Sequence, residues 1–340
     1  MGAGAFVIAE FTRTPYMTIV LVSIVPALLY FLTVYFLVDF QALKQNLSGL
    51  KASELPRPWE IFKQGWFLLT PLVVIFVLIL MRYSPAFAAF WGIVAGVAVG
   101  FIPYRGERTK IRDIATALAD GAKNAASISG LIGTIGILIG VVSLTGLGLR
   151  LSDLVVSLSG GHLLIAIVLV TLASWVLGMG LTATSSYIVV AILAAPALQE
   201  LGTSLIAAHL IIFWVSQDAN VTPPVCISAF GAASIAGGDP MKTGWESWKL
   251  ARGLYIVPLL MAYSPLVDGP WTAVVPVLVF ALPGIYAMCA GLSGYLRRET
   301  TWWERAALLG SGVLLIAPEM ISNVAGLVLL AAVWLWQRRG

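Results

Sequence analysis

Residues 162–198 read HLLIAIVLVTLASWVL, then GMGLTATSS, then YIVVAILAAPAL. The outer pieces are apolar, yet each is shorter than the roughly 20 residues a helix needs to cross about 30 Å of hydrocarbon. The piece between them, Gly178 to Ser186, is too polar and too flexible for the lipid-facing centre of a helix. Short apolar arms joined through small hydroxyl residues are what a re-entrant hairpin requires, because irregular backbone at membrane depth is tolerated only inside protein or beside a cavity. Pro196 and Gly202 are expected to interrupt the second arm again.

A second discontinuity lies downstream. Residues 205–235 could cross as one helix, except that Asn220-Val221-Thr222-Pro223-Pro224 falls near the middle. Two adjacent prolines remove two backbone donors and clash with the preceding turn, so the helix unwinds there and leaves carbonyls without intrahelical partners.

Composition agrees with a membrane setting. The 340 residues are 59% hydrophobic and 11% charged, with a mean hydropathy of +0.95, whereas soluble domains carry roughly a quarter charged residues. Continuous apolar runs such as residues 71–81 and 163–177 read as helix and exclude a barrel of alternating strands. The net charge of +4 comes from short basic loops, which suits topology control and not a nucleic-acid face. The expected class is an all-α polytopic membrane protein with a re-entrant hairpin and a Pro-Pro broken helix, half of an inverted-repeat transporter.

Residues 16–38 form the first expected span. The polar stretch 39–63 follows, with Lys44, Lys51, Arg57 and Lys63, and should be cytoplasmic. Residues 66–81 and 86–102 make a tight pair of spans, and the basic loop 104–123 returns to the same side. Gly92, Gly96 and Gly100 form a smooth stripe for close helix packing. Residues 125–147, rich in glycine, serine and threonine, read as a close-packed interior helix. Residues 241–252, with Trp245 and Trp248, read as an interfacial amphipathic segment. Residues 255–267 and 271–296 are further spans, and Pro318-Glu319 is expected to turn a C-terminal helical hairpin. Three regions result: 1–123 as the end of a first repeat and scaffold, 124–252 as a transport segment, and 253–340 as C-terminal spans. Residues 24–30 and 256–263 echo each other, each after a small-residue helix and a proline turn, and transporters are commonly built from such repeats. Cys226 and Cys289 suggest neither a disulfide nor a metal site, and Met1 to Phe6 lacks the features of a signal peptide.

The chemistry concentrates at the two discontinuities. Half-helix N-termini suit a carboxylate, and unwound carbonyls suit a small cation. Thr184, Ser185, Ser186, Asn220 and Thr222 add side-chain oxygens, with Thr184, Ser185, Asn220 and Thr222 as an Na+ ligand set. The competing reading is that these groups only satisfy kinked backbone. Asp218 is an intramembrane carboxylate that relays protons or binds a cation, or else sits at a watery rim. His209 reads as a buried hydrogen-bonding residue and Glu319 as a turn residue. Neither a zinc motif nor a phosphate loop is present, so the chain is expected not to be an enzyme and to need no cofactor beyond Na+ or H+ as coupling ion.

Gly146-Leu147-Gly148, Leu177-Gly178-Met179-Gly180-Leu181, Ala207-Ala208-His209-Leu210, Asn220 to Pro224, and Asp239-Pro240-Met241-Lys242-Thr243-Gly244-Trp245 resemble, in order, motifs of the permease of tripartite ATP-independent periplasmic (TRAP) transporters, specifically the fused membrane subunit of the TAXI subfamily. The resemblance covers about residues 140–268, and elsewhere rests on hydropathy and the residues 1–6 start. It implies uptake of small organic acids across the bacterial cytoplasmic (inner) membrane. They are handed over by a periplasmic substrate-binding protein, and an elevator-like movement is driven by a cation gradient, usually Na+. Gly178, Gly180, Thr184, Ser185 and Ser186 would then form a hairpin tip, facing Asn220, Thr222, Pro223 and Pro224. The family often has proline where this chain has Thr182. It also carries a small membrane subunit region and a first hairpin that would precede Met1, so the chain resembles a second half needing an N-terminal half or small subunit. It is expected not to transport alone, and uptake by the purified chain in liposomes would contradict this. The rival expectations are a channel-like membrane protein and a non-transporting fragment.

Overall fold

The computed structural model describes the chain apart from residues 1, 2, 48, 50–54, 56, 82, 103–109, 180 and 340, and apart from the side chains of residues 3, 124, 127, 128, 131, 132, 135, 138, 139, 143 and 339. Among the described residues it is all helical, with no named strand, and five helices are long and apolar enough to cross a membrane: Tyr16–Lys44, Pro58–Leu80, Ala183–Glu200, Trp271–Ser293 and Met320–Arg338. The chain divides into two units, residues 49–134 and residues 1–48 with 135–340.

In the smaller unit α3 (Pro58–Gly65) runs through a 3-10 turn, Trp66–Leu69, into α4 (Thr70–Leu80), and a short turn leads to α5 (Pro85–Gly100). Helix therefore begins inside the stretch expected to be a loop. Ser84 caps α5, its hydroxyl accepting from Phe87 N at 3.3 Å. The glycine stripe packs as expected at Gly92, where an added methyl would lie 2.5 Å from Ile75 Cγ1. Leu72, Val73, Phe76 and Leu80 point outward and are exposed, a surface suited to lipid.

α6 (Ile111–Thr145) corrects two expectations. Arg112 and Lys123 lie on helix and not in a loop, while Arg105 and Arg108 fall outside the described residues. At 35 residues α6 is ~52 Å long, so its basic start exceeds a hydrocarbon core. Nor do the described residues show the close packing expected of residues 125–147: among them, a methyl added at Gly130, Gly133, Gly136 or Gly140 meets nothing within 4 Å. A smooth glycine face permits close approach but does not supply the partner.

The larger unit holds the remaining elements. α1 (Ala3–Thr12) leads directly to α2 (Tyr16–Lys44). Gly146, at φ +66°, breaks the chain between α6 and a helix the sequence did not announce, α7 (Leu147–Leu158). Next come α8 (Leu163–Gly178), α9 (Ala183–Glu200), α10 (Leu205–Val215), α11 (Ile227–Ala236), α12 (Pro240–Leu250) and α13 (Gly253–Tyr263). Apart from His209, α10 is apolar all round, and it is buried from Ala207 to Val215, which makes it the centre of this unit. Pro196 does not interrupt α9; the Ile192 carbonyl it frees lies 3.4 Å from where a methyl on Gly148 of α7 would be. α13 is shorter than the span expected over 255–267, because Ser264 precedes Pro265 and turns extended. Pro26 and Pro258 lie inside α2 and α13, which pack together, but α12 intervenes between α11 and α13, so the echoed segments differ in what precedes them.

α14 (Trp271–Ser293), α15 (Trp302–Ile316) and α16 (Met320–Arg339) follow, the last two forming the expected C-terminal hairpin, with Glu319 exposed at its turn. In lipid there is little hydrophobic drive between helices, so small residues and close packing must hold them. A methyl on Gly312 of α15 would sit 3.0 Å from the Gly284 carbonyl of α14, and Ser311 Oγ donates to the Gly326 carbonyl of α16 at 2.7 Å. Gly312→Leu is therefore expected to cost about 1–3 kcal/mol through overpacking, read as a lower thermal midpoint of the detergent-solubilised chain. An unchanged midpoint would mean these helices do not depend on that contact.

Candidate functional site

The hairpin tip is tighter than the polar stretch 178–186 suggests. α8 closes at Gly178, Leu181 N donates back to the Gly178 carbonyl at 3.1 Å, and α9 starts at Ala183. Thr182 is its N-cap, accepting from Ser185 N at 3.4 Å and pairing with Ser185 Oγ at 2.6 Å. Thus Thr184, Ser185 and Ser186 occupy the first turn of a helix, one of whose unpaired N–H groups the Thr182 hydroxyl satisfies. Gly180 lies outside the described residues. Because these residues join the helix, the second arm reaches 18 residues, longer than expected, while α8 has 16.

The Pro-Pro break is wider than its motif. α10 stops at Val215, a 3-10 turn covers Asp218–Asn220, the Pro223–Pro224 bond is cis, and helix resumes only at Ile227. Thr222 N donates to the Asp218 carbonyl at 2.9 Å, so part of the break is locally closed. Pro223 is buried against α12, its Cγ lying 3.3 Å from where a methyl on Gly244 would be, and Pro224 is exposed.

Hairpin and break meet at one point. A methyl added to Gly178 would lie 2.7 Å from Ser186 Oγ and 3.0 Å from Ala219 Cβ. The end of α8, the start of α9 and the 3-10 turn therefore touch with no room for a side chain.

Two cavities flank this contact. The first, about 560 Å³, is lined by Thr184 and Asn220 together with Gln217, Ser228, Tyr30 and Trp214. Its lining is neutral, with hydroxyl and amide groups among aromatic and aliphatic walls. The second, about 550 Å³, is mostly apolar and holds Asp218 and Thr222 at its polar end, beside Trp175, Trp245, Trp248 and Tyr255.

Asp218 is 3% exposed and accepts from Thr222 Oγ1 and, at 2.7 Å, from the Tyr255 hydroxyl, which itself accepts from Trp248 Nε1 at 2.9 Å. A carboxylate taken out of water needs such donors. No ion pair with Asp218 occurs among the described residues.

The sequence-derived oxygen donors are thus divided. Thr184 and Asn220 share the first cavity, Thr222 faces the second, and Ser185 is buried and bonded to Thr182. Ser186 Oγ is buried with no hydrogen-bond partner among the described residues, as is Trp175 Nε1. His209 is buried, its Nδ1 2.8 Å from the Tyr187 hydroxyl, as expected for a structural histidine. No group of three or more His, Cys, Asp or Glu is placed to hold a metal among the described residues. Sequence reasoning missed Tyr255, which reaches Asp218 from 37 residues away, Trp248, which donates to Tyr255, and Gln217, whose amide beside Asp218 in an apolar run was the available signal.

The profile of the family described as "Tripartite ATP-independent periplasmic transporter, DctM component" matches residues 1–267, a wider span than the motifs alone cover. No curated protein and no solved structure matches the chain. The matched span contains the hairpin, the break and both cavity-facing turns, and it covers well over half of the chain, so the chain belongs to the DctM family and is a multi-pass membrane component of a TRAP-type transporter, not an enzyme.

Proposed function

We propose that the chain is the permease component of a binding-protein-dependent, cation-gradient-driven uptake system for small organic acids, of the TAXI type. One observation carries this reading: hairpin and break meet at Gly178 and Ala219 beside an uncharged, mainly apolar cavity whose polar groups include Thr184 and Asn220. A half-helix N-terminus at Ala183 is a partial positive charge for a substrate carboxylate, and the carbonyls of the break are partial negative charges for Na+. Neutral walls let the carboxylate and its co-transported cation compensate each other. The chain in this reading supplies one repeat of an inverted pair, its hairpin re-entrant, and works with an N-terminal permease half or small membrane subunit, moving elevator-fashion in the bacterial inner membrane. Asp218, buried without a cationic partner among the described residues, favours a second coupling reading in which the cation it takes is a proton.

The test is uptake of labelled carboxylates into proteoliposomes holding the assembled permease. Uptake is expected to require both a soluble binding protein on the outer side and an imposed Na+ or H+ gradient. Gradient-independent flux that ignores the binding protein would make the chain channel-like, and no flux in any assembly would make it a non-transporting fragment.

A further inference from the structure

We propose that one end of the α14–α16 helices carries a binding site for the phosphate of an anionic phospholipid. A polar cleft of about 240 Å³ opens beside the C-terminus of α14 and is lined by Lys44, Lys249, Arg252 and Arg305. Against roughly 30 Å³ for one liquid water, it has room for a phosphodiester. These cations come from four different elements: the last residue of α2, the end of α12, the start of α13 and the first turn of α15.

Their charge is not cancelled locally. Glu246 is the carboxylate in the cleft, and Lys249 holds it at 2.7 Å. Lys44 donates to the Ser293 carbonyl at 3.3 Å, Arg252 to Leu292 at 3.1 Å, and Arg305 to Gly291 at 2.7 Å and Leu292 at 3.0 Å. No ion pair with Lys44, Arg252 or Arg305 occurs among the described residues. A helix C-terminus presents about half a negative charge, so three cations on it leave an excess. Each also keeps donors, since an ammonium has three and a guanidinium five. A phosphate supplies the missing charge and the missing acceptors.

The setting identifies the phosphate's source. At the same end, Trp302 and Trp303 stack on each other while 66% and 67% exposed, and Trp334 lies under Arg297 at 5.1 Å and Arg338 at 5.7 Å. Exposed tryptophans interleaved with arginines mark a membrane interface, where basic pockets between helices take anionic headgroups. The site is separate from both cavities at the hairpin and the break.

Native mass spectrometry of the full chain, with phosphatidylglycerol, phosphatidylcholine and inorganic phosphate as probes, tests this. Wild type is expected to retain phosphatidylglycerol about tenfold over phosphatidylcholine, with Lys44→Gln/Arg252→Gln losing that preference. Because Arg252 also caps α14, Lys44→Gln/Lys249→Gln serves as a second variant, and Lys110→Gln/Lys123→Gln serves as the control for general basic attraction. Loss in the cleft variants but not in the control supports the site. Equal loss in the control, no preference in wild type, or inorganic phosphate displacing the lipid at equal concentration overturns it, the last by making a soluble phosphate the ligand.

Discussion

Gly178→Val is expected to abolish uptake, by roughly 100-fold or more, while the chain still folds and inserts. Even one added carbon at this position would stand 2.7 Å from Ser186 Oγ and 3.0 Å from Ala219 Cβ. The serine hydroxyl can rotate away, but the alanine belongs to a 3-10 turn held by backbone bonds, so the break itself must move. Displacing binding groups by about 1 Å commonly costs 10²-fold in a preorganised site. Gly121→Ala, at a position with nothing within 4 Å, is the control and should leave uptake unchanged. Uptake by Gly178→Val within a few-fold of wild type would mean that contact between hairpin and break is not needed for transport.

Asp218 gives the second large effect, and two substitutions separate its roles. Asp218→Asn keeps an acceptor for Tyr255 and Thr222 but removes the charge. It is expected to cut gradient-driven uptake at least tenfold with little change in thermal midpoint, and to preserve substrate exchange when no gradient is imposed. Asp218→Ala leaves the buried Thr222 hydroxyl, at about 1–3 kcal/mol, and the half-buried Tyr255 hydroxyl without their acceptor, and is expected to lower the midpoint as well. If Asp218→Asn transports normally under every gradient while Asp218→Ala is unstable, the carboxylate is a brace for α13 and carries no coupling ion. Comparing Na+ and H+ gradients in wild type then identifies which cation the carboxylate serves.

The discontinuities are legible in the sequence because they violate a local rule: hydroxyls and paired prolines have no business in a long apolar run unless something else satisfies the backbone. Gly178 to Ser186 and Asn220 to Pro224 announce themselves in that way. Their extents are not legible. Ser185 and Ser186 look like tip residues, yet Thr182 acting as N-cap draws them into α9, and the break opens at Ser216, well before the first proline, because the 3-10 turn is stabilised by Asp218. Pro196 misleads in the opposite direction, since α9 runs through it and Gly148 on α7 leaves space beside the Ile192 carbonyl that the proline frees. The division of oxygens between two cavities was also hidden. It depends on which side of the 3-10 turn each side chain leaves, and on Tyr255 and Trp248 arriving from α13 and α12. Packing errors share one origin: glycine content tells how closely a partner can come, not whether this chain contains it, as α6 and the Gly284–Gly312 contact illustrate in opposite ways.

Whether hairpin and break form one transport site is read from the Na+ dependence of carboxylate uptake in proteoliposomes containing the binding protein and the assembled permease, with wild type set against Thr184→Ala/Asn220→Ala. If hairpin and break form the shared site, wild type shows saturable activation by Na+, and the double variant loses it or needs at least tenfold more Na+. Unaltered Na+ activation and uptake with both side chains removed would contradict the assignment of the Thr184 and Asn220 cavity as the transport site.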